Sequence, residues 1–563
     1  MSSPNLSSEA RLHASAAVVS CVWFKRDLRW ADHAPLAEAA QRGPCILLYC
    51  FEPSMMTAPD ADPAHVVFIL DCLRELQQAL RARGNRLLIV LAEAPAVLEA
   101  VYDSSPFTNL YSHQETGNAI SYARDIRVGQ WAKSKGILWQ EFYQNGVIRR
   151  LKTRQKWAHQ WEARMKQPLQ PAPDWVAPPD NLSQLAEALK NRFPVWIDSL
   201  PSLFELGMPA SQKTAAQAGG RTLGLATLND FLTVRGLPYV QGMSSPNSAP
   251  EACSRISPYL AWGALSLGDV VHRLRHHQAS VLDECQKVSV DAPEGLRRCK
   301  NWLAVYRSFH KRLHWHCHFM QKLEDEPAIE TCNMNRAFDG MREPFWSDER
   351  FNAWCEGQTG YPLIDACMRS LRETGWLPFR MRAMVTSFAA YHLWLHWQRP
   401  AHVLARHFLD YEPGIHYSQI QMQSGVTGIN AIRIYSPLKQ AQDHDPYGHF
   451  IRRWVPELAT VPAPWIFEPH TLPDLEASRL GFRVGKDYPL PIVDHAEAYR
   501  QAKEALWQWK RTPEARAQAK IVLDKHGSRQ QPAHRKARRA TEAKASAALK
   551  TDAAIGVYQP LLF

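Results

Sequence analysis

The chain of 563 residues lacks the signals that would place it in a membrane, outside the cell or around a metal. No apolar run is long enough to cross a bilayer, and the N-terminus lacks the basic start and apolar stretch of a secretory signal. Its 11 cysteines include no C-x-x-C pair, and none lies beyond Cys367. This spacing argues against a zinc ribbon, a C-terminal iron–sulfur cluster and a disulfide framework. We therefore expect a cytoplasmic, monomeric protein that has no resident metal and does not bind membranes.

The first part of the chain alternates short apolar runs with amphipathic segments. The runs VVSCVWF, CILLYCF, RLLIVL, NLYS and ILWQEF predict strands, and helices are expected near Pro35, Val66, Pro95 and Ala119. This alternation is typical of βαβ units and predicts an α/β domain with a doubly wound parallel sheet over residues 18–145. No G-x-G-x-x-G motif follows the first strand, so the usual dinucleotide fingerprint is absent.

The remainder of the chain divides by composition into three segments that follow a short extension, residues 1–17. Residues 146–236 are rich in proline and glycine, which predicts an interdomain linker of extended surface chain. Residues 237–510 have helical apolar spacing and predict an all-α domain. The tail, residues 511–563, is rich in alanine, lysine and arginine. It is either a fraying helix or disordered chain with nonspecific affinity for nucleic acid, and we expect disorder for most of it.

The net charge of +11 and the pI of about 9.1 favour an anionic partner. Nucleic acid is the leading candidate because 20 tryptophans and 17 tyrosines offer stacking surfaces beside the cations. Much of the excess charge lies in the tail, where it can equally serve only to keep a helix soluble.

The stretch from Gly357 to Glu412 organises the helical part. It predicts two amphipathic helices with Arg382 between them, and it ends on Asp410 and Glu412. A cation and two acids at the ends of apolar helices suggest a large polar cofactor inside an all-helical domain. The alternative is a buried structural salt bridge.

The HWHCH cluster invites a metal interpretation, but its geometry on a helix opposes one. His314, His316 and His318 lie at positions i, i+2 and i+4, so only the first and the last share a face. No carboxylate of suitable spacing lies nearby, and we expect no metal site.

Three motifs resemble the cryptochrome/photolyase family of blue-light flavoproteins. GQTGYPLIDACMRSLRETGW resembles the GxTGYPxVDAxMRxLxxTGW signature, WFKRDLRWADHAPL is similar to the opening of photolyases, and the segment SGVTGINAIRIYSPLKQ resembles the family's closing segment. The resemblance covers roughly residues 20–145 and 237–470. It implies an N-terminal antenna domain, a long linker and a C-terminal helical domain that binds FAD. In the family, the antenna domain can hold a second chromophore, whose identity these residues do not name.

The resemblance also implies a set of cofactor-binding residues. The SRISPYL segment matches the family's phosphate-binding turn, and hydroxyls that open a helix suit a diphosphate, although an ordinary N-cap is the alternative. Arg382 and Asp410 match the ion pair beside the isoalloxazine, Glu412 stands where a second Asp is usual, and His416 holds the position that faces flavin N5. Cys253 replaces the usual Thr. The other implied contacts are Tyr239, Ser254, Arg255, Ile256 and Ser257.

In photolyases, light drives an electron from reduced flavin into a flipped pyrimidine dimer. Trp315 aligns with a tryptophan that lines the lesion pocket, although a core tryptophan is nearly as good an interpretation. Met422 replaces a second pocket tryptophan, and Arg433 and Gln440 match positions that approach DNA. Arg312 stands where dimer photolyases carry a Glu that hydrogen-bonds the lesion. The resemblance thus assigns catalytic positions to Trp315, Arg312 and His416, with two departures from the usual residues.

The electron-supply chain of the family is also altered. Trp397 and Trp346 match the middle and distal members of its tryptophan triad, whereas the flavin-proximal position holds Ile420, which cannot be oxidised. Replacement routes remain unranked among Trp376, Trp394, Tyr391 and Tyr417. Phe379 and Pro378 replace the paired pocket residues of dimer and (6-4) photolyases, and the missing histidine weakens a (6-4) assignment.

Two functions from different classes follow from the resemblance. The first is a deoxyribodipyrimidine photo-lyase of a divergent bacterial type, which splits cyclobutane pyrimidine dimers in single- or double-stranded DNA. The second is a cryptochrome-like photoreceptor without repair activity. We favour the enzyme because the surface implied for DNA is retained more fully than any signalling module.

Overall fold

The computed structural model describes residues 19–288, 293–463 and 465–527. An α/β domain comes first. Its elements are β1 (Ser20–Phe24), α1 (Ala34–Arg42), β2 (Cys45–Phe51), α2 (Pro53–Met56), α3 (Pro63–Arg81), β3 (Leu87–Leu91), α4 (Ala94–Ser104), β4 (Asn109–His113), α5 (Ala119–Ser134) and β5 (Leu138–Phe142). These five strands pair in parallel in the order β5-β4-β1-β2-β3. The predicted doubly wound parallel sheet is confirmed.

The central strands are apolar on both faces, as a sheet covered by helices on both sides requires. Val22 and Leu47 point into the core shared with the helical domain, whereas their chain neighbours Trp23 and Leu48 pack beneath α4 and α5. The period of two along the strands therefore separates two cores, and continuous apolar runs follow in the sequence.

The connecting region contains more regular structure than its composition suggests. It forms α6 (Trp157–Arg164), α7 (Leu182–Lys190), a two-residue strand β6 (Val195–Trp196) and α8 (Arg221–Asp230), and β6 pairs antiparallel with β3. The prediction of extended surface chain is wrong for these elements. Trp157 and Trp161 are buried one helical turn apart, as are Leu185 and Leu189, so apolar spacing outweighs the prolines that flank the helices.

The last part of the chain is helical, which confirms the prediction of an all-α domain. Its helices are α9 (Tyr239–Gly242), α10 (Ala249–Ala252), α11 (Ser257–Ala261), α12 (Leu267–Lys287), α13 (Pro293–Asp325), α14 (Asp348–Glu356), α15 (Pro362–Thr374), α16 (Phe379–Ser387), α17 (Gln398–His407), α18 (Pro413–Gln423), α19 (Pro437–His444), α20 (His449–Trp454), α21 (Asp474–Leu480), α22 (His495–Arg511) and α23 (Pro513–His526). Across the described ranges, no helix is both long and apolar enough to traverse a lipid bilayer.

The beginning of the tail is ordered, because α23 continues the fold to His526. The Thr512 hydroxyl caps this helix by accepting from the Ala515 N–H at 3.2 Å, and Ala515 and Val522 are buried. The expectation of disorder is therefore wrong for residues 513–526. The extension at residues 1–17 and the tail beyond 527 lie outside the described residues.

Contacts between the two domains fix the α/β sheet against the helices that carry the candidate site. Arg26, in the loop after β1, donates to the Ala261 carbonyl at 3.0 Å, and its guanidinium lies 4.3 Å from the Trp262 ring centroid. The Tyr411 hydroxyl donates to Asp60 at 2.5 Å. These contacts attach the helical domain, including the segment between α17 and α18, to the α/β domain.

Candidate functional site

The predicted ion pair is present and bidentate. Arg382 on α16 donates to both carboxylate oxygens of Asp410 at 2.9 Å, and Asp410 also accepts from the Ser257 hydroxyl. Burial alone would raise the pKa of Asp410, but Arg382 outweighs it, and the pKa lies below its ordinary value. The pair is therefore ionised inside the helical domain.

The turn between α10 and α11 has an unusual backbone. Arg255 has a φ of 60°, in the left-handed region that a residue with a Cβ rarely adopts. Gln217 donates to the Arg255 carbonyl at 3.0 Å, and Arg235 donates to the carbonyls of Cys253 and Ser254. These contacts hold the turn in a preset shape, which is typical of ligand-binding loops.

Four arginines converge on this turn. Burial raises the pKa of the Cys253 thiol to about 11, while the nearby positive charges act in the opposite direction. The guanidinium of Arg255 lies 4.0 Å from the ring centroid of Trp376. The charges that reach the thiol are those of Arg255, Arg235, Arg312 and Arg382.

The acids nearby do not balance these arginines. Arg235 is paired with Asp230 at 2.8 Å, whereas Arg255 and Arg382 both act on Asp410. Within the described ranges, neither Arg255 nor Arg312 has a carboxylate within ion-pair distance. Burial lowers the pKa of Arg255 to about 10, with Asp410 opposing the shift. Three guanidiniums against one carboxylate leave a surplus of two positive charges, which suits the diphosphate of a dinucleotide. We name Arg255, Arg312 and Arg382 the arginine cluster.

Tyr239 and Arg312 complete the cluster from α9 and α13. Burial raises the pKa of Tyr239 to about 12, and Arg312 donates a hydrogen bond to its hydroxyl. The Arg312 guanidinium also lies 5.9 Å from the ring centroid of Phe379, and Ile256 is buried behind the turn. The structure thus groups Arg312 with the residues predicted to bind the cofactor.

His416 lies on α18 and is buried. Its Nε2–H donates to the Ala401 carbonyl at 2.8 Å. Phe408 links His416 to the ion pair. The Phe408 ring centroid is 4.1 Å from the Arg382 guanidinium and 6.3 Å from the His416 ring. Burial lowers the pKa of His416 to about 4, so the imidazole is neutral near pH 7.

The Glu412 side chain does not join the Arg382–Asp410 ion pair. It lines a separate cavity of about 30 Å³ with Arg26 and His316. Burial raises the pKa of Glu412 to about 7, and Arg26 opposes the shift. The sequence motif placed Glu412 beside Asp410 in the chain, but its side chain belongs to the contact between the domains.

Three of the four residues predicted to contact DNA line one cavity of about 370 Å³: Trp315, Met422 and Arg433. The fourth, Gln440, is buried on α19 and is not among the residues that line this cavity. We name this space the Trp315 cavity. Trp315 stacks on Phe319 with ring centroids 5.6 Å apart.

The aromatic side chains predicted to carry electrons occupy two environments. Trp397 is buried and donates to Asn333 at 2.7 Å, whereas Trp346 is partly exposed and lies under the Arg399 guanidinium at 4.4 Å. Tyr417 contacts both the His416 ring, at 5.3 Å, and the Trp397 ring, at 6.4 Å. Tyr417 is therefore the best placed of the unranked candidates, while Ile420 is buried in the core.

Sequence reasoning missed a cavity of about 140 Å³ between the domains. It lies at the carboxyl ends of β1 and β2, where ligands of doubly wound sheets usually bind. Several of its charged groups are already paired: Arg124 donates to Glu52 at 2.7 Å and to Glu115 at 2.5 Å, and Lys25 donates to Asp125 at 3.1 Å. Only the position of these residues after the strands signalled the site.

A buried group of Asp27, His33 and His113 has metal-like spacing. Both imidazoles donate to the same Asp27 oxygen, at 3.0 Å from His33 and 2.7 Å from His113. The other nitrogen of His33 accepts from the Leu36 N–H at 3.1 Å. Hydrogen bonds account for these contacts, and they fix the loop after β1.

Comparison with known proteins assigns this arrangement. The family model for the FAD binding domain of DNA photolyase matches residues 309–508, and the DNA photolyase model matches residues 20–173. A deoxyribodipyrimidine photo-lyase from Vibrio cholerae is 31% identical over 84% of this chain and 96% of its own length. The chain belongs to the photolyase/cryptochrome family of FAD-binding flavoproteins.

Members with different names lie at similar distance within the family. A cryptochrome DASH from Gloeobacter violaceus is 28% identical over 86% of this chain and 96% of its own length. The solved structure of a bacterial class III photolyase from Agrobacterium tumefaciens has a TM-score of 0.71 at 25% identity, and it covers 90% of this chain and 100% of that chain. The flavoprotein family is thus established, while the names of the relatives include both photo-lyases and cryptochromes.

Proposed function

We propose that this flavoprotein is a DNA photolyase that splits cyclobutane pyrimidine dimers with light. The observation that carries the proposal is that α13 joins the two sites. Arg312, in the arginine cluster, and Trp315, in the cavity of about 370 Å³, are three residues apart and therefore lie within one helical turn. A base held in the cavity would lie next to a cofactor held by the arginines.

The donor set fits FAD. Arg255 and Arg312 would hold the diphosphate, with Tyr239 and the preset turn beside them. The Arg382–Asp410 pair, bidentate at 2.9 Å, would lie against the isoalloxazine. Bound and reduced, FAD supplies the electron that light transfers to the dimer.

The remaining residues would position the base and keep water out of the site. Neutral His416 keeps its Nε2–H on the Ala401 carbonyl at 2.8 Å, so its other nitrogen can hold or move a proton at the cofactor edge. Trp315 would stack on the flipped base and exclude water, with Met422 opposite, and Arg433 would contact a phosphate. Tyr417 and Trp397, with ring centroids 6.4 Å apart, would relay electrons inward.

The interdomain cavity of about 140 Å³ is the candidate site for a second chromophore. Its Trp23, Tyr49 and Trp262 offer flat apolar surfaces, and its paired charges leave no surplus for a highly charged ligand.

The test is illumination of the purified, reduced protein with single- and double-stranded oligonucleotides that contain one dimer. We expect dimers to be lost in blue light and to persist in the dark. Persistence of dimers in the light, with FAD bound at one per chain, would refute repair. A matched variant is Trp315→Phe, which keeps a smaller stacking surface. It should slow repair without loss of FAD.

A photoreceptor is the second candidate, and Arg312 favours it. A cation stands where the resemblance implies a Glu that bonds the lesion, and a cryptochrome DASH is 28% identical. If light changes the flavin spectrum while every dimer persists, this second function replaces the first.

A further inference from the structure

Basic side chains form one wall of the Trp315 cavity. Besides Trp315, Met422 and Arg433, it is lined by His318, Phe319 and Lys322 of α13 and by His526 of α23. No carboxylate is among the described residues that line it. We name His318, Lys322 and His526 the basic wall.

The three side chains of the wall are buried. Lys322 and His318 are each 4% exposed, and His526 is 1% exposed. Within the described ranges, Nδ1 of His318, Nδ1 of His526 and the side-chain nitrogen of Gln423 have no hydrogen-bond partner. Buried polar groups are normally satisfied, so the Gln423 amide indicates a ligand that supplies an acceptor oxygen. Burial lowers the pKa of both imidazoles. Because Nε2–H of His526 donates to Glu326 at 2.7 Å, its Nδ1 can donate to such an oxygen only when the ring takes up a proton, which a bound anion favours.

The nearest acids are already engaged. Asp325 accepts from Gln321 at 2.8 Å and pairs with Arg154 at 3.6 Å. Glu326 accepts from the other nitrogen of His526 at 2.7 Å and pairs with Lys525 at 3.1 Å. Burial, followed by the charge of Arg154, lowers the pKa of Lys322 to about 7. An anion beside Lys322 would restore its charge.

The wall also depends on a helix beyond the matched family domain. The FAD-binding match ends at residue 508, and α23 follows it. Asn335 donates to the Ala515 carbonyl of α23 at 2.9 Å. Just before this helix, Lys510 of α22 donates to the Asn430 carbonyl at 3.0 Å. Asn430 itself lines the cavity.

We propose that the basic wall binds the backbone phosphate of the nucleotide whose base stacks on Trp315. This inference rests on the proposed function, because it names how the same cavity holds its DNA substrate. His526 would then make α23 part of the substrate site, and Lys322 would be its principal phosphate contact. The aromatic and basic sides of the cavity correspond to the base and the phosphate of one nucleotide.

The experiment is a dark binding measurement on the full-length holoprotein, with fluorescence anisotropy of a labelled single strand that carries one thymine dimer. A second strand has neutral methylphosphonates at the linkages within and beside the dimer. We expect wild type to bind the neutral strand about ten- to a hundredfold more weakly than the natural strand. Lys322→Met should weaken binding of the natural strand by the same factor, with little further loss on the neutral strand. Lys300→Met, an exposed lysine on the same helix, should behave as wild type.

His526→Gln is the second variant. Its amide keeps the hydrogen bond to Glu326 and removes Nδ1, so α23 should stay in place while affinity for the natural strand falls several-fold. If the neutral linkages weaken wild type and Lys322→Met equally, the wall does not contact the phosphate and the inference is overturned. Inorganic phosphate and thymidine monophosphate serve as competitors. If either binds as tightly as the strand in a Lys322-dependent way, the site takes free anions and the nucleotide proposal fails.

The two proposals fail differently. If wild type splits no dimers in light but shows the Lys322-dependent phosphate effect in the dark, the binding inference stands without repair. If Lys322→Met binds natural strands like wild type and splits dimers in light, the repair proposal stands without the wall.

Discussion

Buried arginines have opposite surroundings in the two domains. Arg124 of the α/β domain is held by Glu52, Glu115 and Asp125, at 2.7, 2.5 and 2.9 Å. In the helical domain, Arg382 pairs with Asp410, and neither Arg255 nor Arg312 has an ion-pair partner among the described residues. Protein carboxylates balance the charge of Arg124, whereas the arginine cluster needs a bound anion to balance its charge. Arg124 is therefore expected to govern folding, and the arginine cluster to govern cofactor affinity.

The largest effect is expected for Arg124→Met. This change leaves three acids without their shared partner in a buried site, and it should lower the free energy of unfolding by about 3–5 kcal/mol. Urea denaturation measures the loss, with Arg86→Met, whose side chain is 54% exposed, as the control. If the two variants are equally stable, the balanced network is not structural.

Glu412 tests an acid that is only partly compensated. Its pKa is about 7, above the ordinary value of 4.5, so the folded protein favours the neutral carboxyl. The stability that this group contributes is fully present below pH 4.5 and is lost as the pH rises through 7. Glu412→Gln should therefore be more stable than wild type at pH 8, by up to about 3 kcal/mol, and equal to it near pH 4. Denaturation at both values measures this difference, and an equal gain at both would contradict it.

Arg255→Met sharpens the contrast with Arg124. Because Arg255 leaves no unpaired acid behind, the apoprotein should be as stable as wild type, while the dissociation constant for FAD rises about ten- to a hundredfold. Quenching of flavin fluorescence measures the affinity, and Arg479→Met, a side chain 66% exposed, is the control. A destabilised apoprotein with normal FAD affinity would reverse the roles assigned to the two regions.

Cys253→Thr should have the smallest effect. The change adds a hydroxyl donor to a turn that already has a surplus of positive charge, so FAD should bind more tightly by about 1 kcal/mol, or roughly fivefold. The matched control is Cys253→Val, which has the same shape without the hydroxyl and should not improve affinity. Equal gains in both variants would assign the effect to packing.

Much of the architecture could be predicted because its signals are local. Continuous apolar runs predicted the five parallel strands, and the motif around Arg382 predicted its pairing with Asp410, which the structure shows at 2.9 Å. Proline content misled the interpretation of the connecting region, since the buried pair Trp157 and Trp161 outweighs it.

The missed features depend on contacts between distant segments. Lys322 and His526 meet only because α23 returns to the end of α13, and no spacing in the chain reports that approach. Glu412 was misplaced for the same reason: its neighbour in space is Arg26 of the other domain. A motif supplies the order of residues, whereas the direction of a side chain depends on what packs against it.

The most direct test of the account is a crystal structure of the holoprotein with FAD bound. We expect the diphosphate to lie against Arg255 and Arg312 and the isoalloxazine to lie beside the Arg382–Asp410 pair. FAD bound only in the interdomain cavity, with the arginine cluster filled by protein side chains, would contradict it.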